Sequence, residues 1–444
     1  MALALRVRSL TAGLALSALM CLARAEAPPE ARDLKAASPE AVGLSSQRLQ
    51  RLDESMQRLV DSKQLAGIVT LAARHGKIVY SKSFGVQDLA SGKPMPKDAI
   101  ARIYSMTKPV TGVAMMILYE EGKWQPEDPV AKYLPEFADL RVLKSVKADG
   151  QPELEAALHP PTMGELMTHT AGFTYGVFSN SWVDQQYAKE IISRATFEFT
   201  TRSLTELVDK LAHIPLDYQP GARWQYSVAA DIQARIVEKL SGRPFADFLR
   251  ERIFEPLQMH DTAYYVPESK RARLATLYQL DPVQHALAVR ALVPDPTAPP
   301  TLTLGGIGLY STANDYLRFA QMLLNGGELD GVRILGPRTV ELMSSNKLPP
   351  RLLTGEFGPP PSPLVPGRGF GYDVGVVTDP LRLGDPTGVG TYSWLGIAGT
   401  WFWVDPQQDV VFVGLTQRFA DPTLPAVWNI ARAGFYQALV DPRR

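Results

Sequence analysis

A serine and a lysine that lie three residues apart, Ser105 and Lys108, form the pair in this chain best suited to chemistry. They precede residues 110–119, which are apolar on nearly all sides and therefore predict a helix buried in the core. Positions i and i+3 of a helix lie about 5–6 Å apart at Cβ, so the amine can reach the hydroxyl. A helix start also offers free N–H groups and a positive dipole end to developing negative charge. The pattern predicts a serine nucleophile with a lysine as general base.

Residues 105–108 also have a simpler interpretation, in which Ser105 is a helix N-cap and Lys108 is a surface residue. A second Ser-x-x-Lys, from Ser344 to Lys347, shows what context adds. Ser344 ends a predicted helix just before Pro349, where carbonyl groups and the negative dipole end oppose an alkoxide. Lys108 instead stands at the mouth of a buried helix, where partial removal from water favours the neutral amine that a general base needs. We therefore assign the chemistry to the first pair.

The composition is that of a globular protein. With 444 residues, 45% of them hydrophobic, the chain can form two or three domains or one large fold with an insertion. Its 46 lysines and arginines balance 46 aspartates and glutamates, so nothing predicts binding to nucleic acid or to an anionic membrane. The six histidines lack metal-ligand spacing and no nucleotide-binding motif occurs, so we expect neither a metal nor a cofactor.

The first 25 residues are typical of a secretory signal peptide. Arg6 and Arg8 precede an apolar stretch, residues 10–22, and small residues around Ala25 suit cleavage. The stretch is shorter than the roughly 20 residues of a membrane span, so we expect an exported periplasmic or secreted protein without a membrane span. Cys21 is the single cysteine and lies in this segment, so the mature chain would have no thiol nucleophile.

Periodicity and turn signals place the main elements along the chain. Residues 26–43 look like a linker. The predicted elements are a helix capped by Ser45 or Ser46, strands at 67–73, 77–84, 371–378, 400–404 and 410–416, helices at 229–240, 245–253, 313–324 and 425–440, and an irregular loop over 348–369.

The order of these elements predicts an α+β fold. A helix and a hairpin at one end of the chain, and strands and a helix at the other, indicate one antiparallel sheet flanked by helices. Residues 44–124 and 300–444 would build this domain, and residues 125–299 would form an inserted, mostly helical domain. A cleft between the two parts is the natural position for a site.

Two further segments carry residues that this chemistry requires. Tyr226 precedes a predicted helix and could point from a loop into the cleft, where it could relay protons; an ordinary core aromatic is the alternative. Glycines at 396 and 399 allow the backbone to approach other groups closely. An N–H group there could therefore complete an oxyanion hole with the N–H of Ser105. His169 is more simply explained by hydrogen bonding in a turn than as an independent base.

Taken together, these segments resemble the superfamily of serine β-lactamases, DD-peptidases and family VIII carboxylesterases. Several motifs in the expected order are more specific than any one of them. The resemblance covers nearly the whole mature chain and is carried by residues 102–108, 166–172, 224–234, 254–259, 305–313 and 399–406.

The resemblance implies a role for each candidate residue. Ser105 would be the acylated nucleophile, and Lys108 with Tyr226 would form the base system. The N–H groups of Ser105 and Ile397 would bind the oxyanion. Which of Lys108 and Tyr226 takes the proton stays open. The implied fold is that of the β-lactamases and DD-peptidases.

Two departures from the lactamase pattern bear on the substrate. Val228 stands where that pattern has an asparagine, and Trp394 stands where it has the lysine of Lys-Thr-Gly. That lysine would hold a substrate carboxylate, whereas Trp394, with Gly396 beside it, offers an apolar wall. We therefore expect neutral esters, as for family VIII esterases. The alternatives are a β-lactamase, a D-amino-acid amidase or peptidase, an acyltransferase, or an acyl-binding sensor that never deacylates. The oligomeric state is not predicted.

Overall fold

A large antiparallel sheet forms the centre of the molecule. The computed structural model describes residues 32–291, 295–353, 365–419 and 427–441. In chain order its elements are α1 (Ser46–Asp61), β1 (Gly67–Arg74), β2 (Lys77–Asp88), β3 (Lys93–Pro94), β4 (Ala101–Arg102), α2 (Thr107–Glu120), β5 (Arg141–Val146), β6 (Pro152–Ala156), α3 (Met163–Met167), α4 (Trp182–Glu190), α5 (Leu204–Ala212), α6 (Ala229–Ser241), α7 (Phe245–Leu249), β7 (Tyr278–Leu280), β8 (Leu287–Val289), β9 (Tyr310–Ser311), α8 (Ala313–Leu324), β10 (Glu328–Leu329), β11 (Val332–Arg333), α9 (Pro337–Ser344), β12 (Arg368–Phe370), β13 (Gly375–Val377), α10 (Pro380–Leu383), β14 (Tyr392–Gly396), β15 (Thr400–Asp405), β16 (Val410–Thr416) and α11 (Val427–Tyr436).

The large sheet joins the two ends of the chain, as the sequence predicts. Its eight strands run in the order β12–β13–β14–β15–β16–β1–β2–β3. The N-terminal hairpin meets the C-terminal strands through β1 and β16, with Leu71 opposite Val413. A separate two-stranded sheet pairs β4 with β9, so Ala101 lies opposite Ser311. Strand β4 leads into Ser105, and β9 follows Gly306 by a few residues. Their pairing therefore brings these two parts of the chain together.

Both faces of the large sheet are covered, and the central strands show this in their sequence. Every residue of β16 is buried, because a strand between two apolar layers does not alternate polar and apolar residues. On one face, α1 and α11 pack over Trp403 and Phe412, whose rings stack with centroids 4.3 Å apart. On the other face, α8 packs against β1, β15 and β16 within the larger core.

Helix α2 is buried on all sides, as its all-round apolar sequence predicts. It packs against α6, α7 and α9. Pro109 is its third residue, a position whose N–H has no intrahelical partner, so the missing donor costs nothing. The helix therefore holds its N-terminal turn, with Lys108, rigidly inside the core.

Two element boundaries differ from the prediction. The strand predicted over 371–378 is confined to β13, because residues 371–374 form the turn from β12 and Asp373 adopts a left-handed φ of 58°. The helix predicted over 245–253 is α7 followed by one π-helical turn, Arg250–Phe254. The other predicted helices and strands are present within a few residues of their expected limits.

Some predicted segments lie outside the described residues. These are the signal peptide, the first part of the linker, residues 354–364 of the predicted irregular loop, and the start of the last helix. Residues 125–299 contain α3 to α7, and also the hairpins β5–β6 and β7–β8, so the boundaries of an inserted domain stay a prediction. Among the described residues, no helix has the length and hydropathy required to cross a bilayer.

Candidate active site

Ser105 lies in a single 3-10 turn, Tyr104–Met106, that connects β4 to α2. Tyr104 has a left-handed φ of 46°, which costs a bulky residue about 1–3 kcal/mol and recurs at functional sites. Packing holds this conformation in place. The Tyr104 ring lies 5.7 Å from the Phe419 ring, and the Arg102 guanidinium lies 4.7 Å from its centre. The strained turn fixes the half-buried Ser105 directly ahead of the helix.

Lys108 is fully buried, so the interpretation as a surface lysine is wrong. Its Nζ lies 3.5 Å from Ser105 Oγ and donates a 2.8 Å hydrogen bond to the carbonyl oxygen of Gly306. The rings of Tyr226 and Tyr175 lie over this nitrogen, with their centres 4.5 and 5.2 Å from it. One carbonyl and two aromatic faces thus hold the amine beside the hydroxyl, and such hydrogen bonds commonly tighten when substrate binds.

Tyr226 projects from the loop before α6, as its position in the sequence indicates. Its ring stacks on Tyr175 at 5.4 Å and lies 5.6 Å from Trp394. Its hydroxyl is buried and has no hydrogen-bond partner within the described part of the chain. A buried hydroxyl without a partner costs free energy, so its retention beside Lys108 indicates a function.

His169 supports this loop. Its Nδ1 lies 2.9 Å from Ser227 Oγ, and its backbone carbonyl accepts from the N–H of Gln225. Burial, together with the charge of Lys108, holds the pKa of His169 well below its ordinary value. The imidazole is therefore neutral and structural, in agreement with its predicted role in a turn.

The end of β14 runs against the backbone that leads to the nucleophile. A Cβ on Gly396 would lie 2.2 Å from the carbonyl oxygen of Ile103 and 2.3 Å from Thr400 Oγ1, so only glycine fits. Thr400 Oγ1 also donates a 3.1 Å hydrogen bond to that carbonyl. Ile397 follows Gly396 in the turn from β14 to β15. The close approach predicted at Gly396 is present, and the oxyanion role of the Ser105 and Ile397 N–H groups stays a prediction.

Asp231, in the first turn of α6, is a site residue that the sequence analysis missed. Its Oδ1 accepts a 2.7 Å hydrogen bond from the N–H of Gly306. A Cβ on Gly306 would lie 2.9 Å from Asp231 Oδ2 and 3.1 Å from Lys108 Nζ, so the carboxylate and the amine flank one small space. Burial raises the pKa of Asp231 to about 6, and the charge of Lys108 limits this rise. The carboxylate is ionised above that pH.

A second buried acid, Asp373, lies in the turn between β12 and β13. Gln233 Nε2 donates to its Oδ1 at 3.3 Å, and His169 Nε2 lies 4.0 Å from the same oxygen. Burial raises the pKa of Asp373 well above its ordinary value. In the sequence, Asp231 and Asp373 are each a single acid inside an apolar segment, and that pattern could have indicated them.

This fold and this arrangement of serine, lysine and tyrosine agree with the family comparison. Residues 52–436 match the Beta-lactamase family, and the chain belongs to that family. The chain is accordingly a serine hydrolase of the β-lactamase fold, as the resemblance of its motifs implied.

Individual relatives extend the comparison. Protein Rv1367c of Mycobacterium tuberculosis is 35% identical over 380 residues, which cover 85% of this chain and 92% of that protein. Esterase EstB of Burkholderia gladioli is 31% identical over 384 residues, covering 82% and 89%. The solved structure of EstCE1, a hydrolase with promiscuous acyltransferase activity, has a TM-score of 0.73 at 24% identity and covers 88% of this chain and 99% of its own. Ester hydrolysis is therefore supported at the level of the family.

Proposed function

We propose that this protein hydrolyses neutral carboxylic esters through an acyl-enzyme on Ser105. The observation that carries the proposal is the buried Lys108 amine, 3.5 Å from Ser105 Oγ and 4.5 Å from the centre of the Tyr226 ring. A buried amine this close to a serine hydroxyl is positioned to act as its general base. Ser105 Oγ lies within hydrogen-bond distance of this amine, and the Tyr226 ring lies over it.

In this mechanism Ser105 Oγ attacks the ester carbonyl carbon while its proton passes to Lys108, directly or through Tyr226. The N–H groups of Ser105 and Ile397 bind the oxyanion. The C–O bond to the alcohol then breaks, and the departing alkoxide takes the proton back. Water repeats the sequence on the acyl-enzyme and releases the acid. Ionised Asp231 stabilises the ammonium that forms on Lys108 in each half-reaction.

The wall of the cleft supports neutral substrates. The Trp394 ring is almost fully buried and lies 5.6 Å from the Tyr226 ring and 5.3 Å from the Phe370 ring. An indole in this position provides no charge to pair with a substrate carboxylate, whereas a lysine would. A penicillin or a peptidoglycan stem, which carries such a carboxylate, would therefore gain less binding energy here than a simple ester.

The test compares the two Ser-x-x-Lys motifs in one assay. Ser105→Ala and Lys108→Ala should each lower the turnover of a nitrophenyl butyrate by at least about 10³-fold, because the nucleophile and its base act as a unit. Ser344→Ala, in the second motif, should retain full activity. Circular dichroism and thermal unfolding show whether each variant is folded. Undiminished turnover by folded Ser105→Ala would overturn the proposal.

The alternatives are separate outcomes of the same experiment. Cleavage of a chromogenic cephalosporin as fast as the ester would identify a lactamase, and release of D-alanine from a D-Ala-D-Ala peptide a peptidase. Formation of a new ester when an alcohol is added would identify an acyltransferase. Labelling in a 1:1 ratio without turnover would identify an acyl-binding sensor.

We also propose that the protein is exported, on the composition of residues 1–25. N-terminal sequencing of protein recovered from the periplasm or the medium should begin after Ala25. Recovery of the complete chain from the cytoplasm alone would contradict export.

A further inference from the structure

A continuous series of aromatic side chains connects the proposed base to the nucleophile turn. The ring of Tyr226 lies 5.9 Å from that of Phe178, which lies 6.4 Å from Phe197. Phe197 lies 5.2 Å from Phe419, and Phe419 lies 5.7 Å from Tyr104, the residue before Ser105. The series therefore starts and ends at the catalytic centre.

Two members of this series, Phe178 and Phe197, keep part of their surface exposed. Tyr104 and Phe419 are 4% and 5% exposed and act as the support behind them. The Arg290 guanidinium covers a face of Phe419 at 4.0 Å from the ring centre. The surface left for a ligand is thus formed by the two phenylalanine rings.

The backbone of Phe197 carries strain of the kind found at binding sites. Its φ is 61°, a conformation that bulky side chains rarely adopt. The N–H of Phe197 donates a 2.8 Å hydrogen bond to the carbonyl oxygen of Ser193, which holds the turn. The strain turns a phenyl ring toward Phe178 and Phe419 at a position where a turn would ordinarily expose a polar residue.

The charged side chains next to these rings are held by partners within the protein. Arg102 and Glu198 form a largely buried ion pair with a distance of 3.2 Å. Arg290 is hydrogen-bonded to Gln279 Oε1 at 2.7 Å and to the carbonyl oxygen of Thr196 at 2.9 Å. Phe178 and Phe197 themselves present only hydrocarbon surface, so they suit an apolar group of a substrate.

We propose that Phe178 and Phe197 bind a bulky apolar group of the ester, such as an aromatic ring or a chain of about six carbons, and give the enzyme its preference for such substrates. This inference rests on the proposed esterase function. Loss of one phenyl ring removes about half of the contact surface, and should cost about 10-fold in kcat/KM for a bulky ester. Methyl acetate carries no such group on either side and should lose less than about 3-fold.

The test measures kcat/KM of Phe178→Ala and Phe197→Ala on two series of esters. One series varies the acid from acetate to hexanoate and phenylacetate with nitrophenol as the alcohol. The other keeps acetate and varies the alcohol from methanol to naphthol. A selective loss in the first series places the bulky group on the acyl side, and a selective loss in the second places it on the alcohol side. Either result supports the proposal.

Control variants separate this result from general damage. Phe84→Ala removes a half-buried phenylalanine that packs on the opposite side of the sheet and should leave the preference unchanged. Phe178→Leu and Phe197→Leu keep apolar volume where an alanine variant does not fold, and should lose the phenylacetate preference more than the hexanoate preference. Equal rates for small and bulky esters in the wild type, or equal losses on both, would overturn the inference. Absence of turnover on every ester would instead overturn the proposed function.

Discussion

Replacement of Asp231 by asparagine should separate stability from activity in this protein. The carboxylate is fully buried, is hydrogen-bonded to the N–H of Gly306 and flanks the space next to Lys108 Nζ. Asparagine keeps the size of the side chain and can still accept the hydrogen bond from Gly306. It removes only the negative charge, so its effects report on that charge.

The magnitude follows from the pKa of Asp231, which burial raises from 3.8 to about 6. This difference corresponds to about 3 kcal/mol, because each pH unit is worth about 1.4 kcal/mol. The sign follows from proton uptake: between pH 3.8 and 6 the folded chain holds a proton that the unfolded chain has released. The contribution of Asp231 to the free energy of unfolding is therefore fully present below pH 3.8 and is lost as the pH rises through about 6.

The assay is urea unfolding of wild type and Asp231→Asn at pH 4 and pH 8. At each pH the free energy of unfolding of wild type is subtracted from that of the variant. This difference should be about 2–3 kcal/mol larger at pH 8 than at pH 4. At the same time kcat on a nitrophenyl butyrate should fall about 10-fold, because the ammonium that forms on Lys108 loses its counter-charge. The fall in wild-type activity below pH 6 should be weaker in the variant.

Asp373→Asn provides the matched control. Asp373 is equally buried, and burial likewise raises its pKa, but its carboxyl accepts from Gln233 and not from the Gly306 N–H beside Lys108. Asp373→Asn should therefore lower kcat less than Asp231→Asn does. If Asp231→Asn instead destabilised the protein at pH 8, or left kcat unchanged, the description of Asp231 as a costly charge kept for Lys108 would be wrong.

Three further variants test the geometry of the site. Gly306→Ala places a Cβ within 3.1 Å of Lys108 Nζ and should lower kcat about 10- to 100-fold, since a displacement of less than 1 Å is costly here. Tyr226→Phe should lower kcat about 100-fold while the melting temperature is unchanged or higher, because the lost hydroxyl has no partner within the described residues. Trp394→Lys should raise cephalosporin hydrolysis relative to ester hydrolysis at least about 10-fold, because an ammonium can pair with the lactam carboxylate.

Each of these variants has its own control or contrary outcome. Gly336→Ala adds a Cβ that approaches Glu120 Oε1 at 3.1 Å, away from the site, and should keep its activity. Wild-type kcat in Gly306→Ala would show that the position of Lys108 is not critical. A large loss of stability in Tyr226→Phe would indicate a structural rather than catalytic tyrosine. An unchanged ratio of lactam to ester hydrolysis in Trp394→Lys would remove Trp394 from substrate selection.

The local features of the site were predictable from the sequence. The spacing of Ser105 and Lys108 and the apolar run after them depend on helix periodicity alone, and the structure has both. The same holds for the hairpin at Gly76, where a tight turn joins two β-rich runs. The glycine at 396 predicts a close approach of the backbone, and its surroundings leave no room for a Cβ.

The features that depend on tertiary contacts were not predictable in this way. Gly306 joins Lys108 from α2 to Asp231 from α6, and only packing brings these three together. Asp373 lies in a turn that periodicity interpreted as strand, because the residues on both sides are apolar. The left-handed conformation of Tyr104 also leaves no local signal, since it is maintained by Phe419 from the other end of the chain.

The most direct test of the central claim is the identity of the residue that a fluorophosphonate ester labels. Intact mass and peptide mapping should show one adduct per chain, on Ser105, with none on Ser105→Ala and a much slower reaction of Lys108→Ala. An adduct on another side chain, such as Ser344, or labelling at the wild-type rate in Lys108→Ala, would contradict the claim that a buried lysine activates this serine.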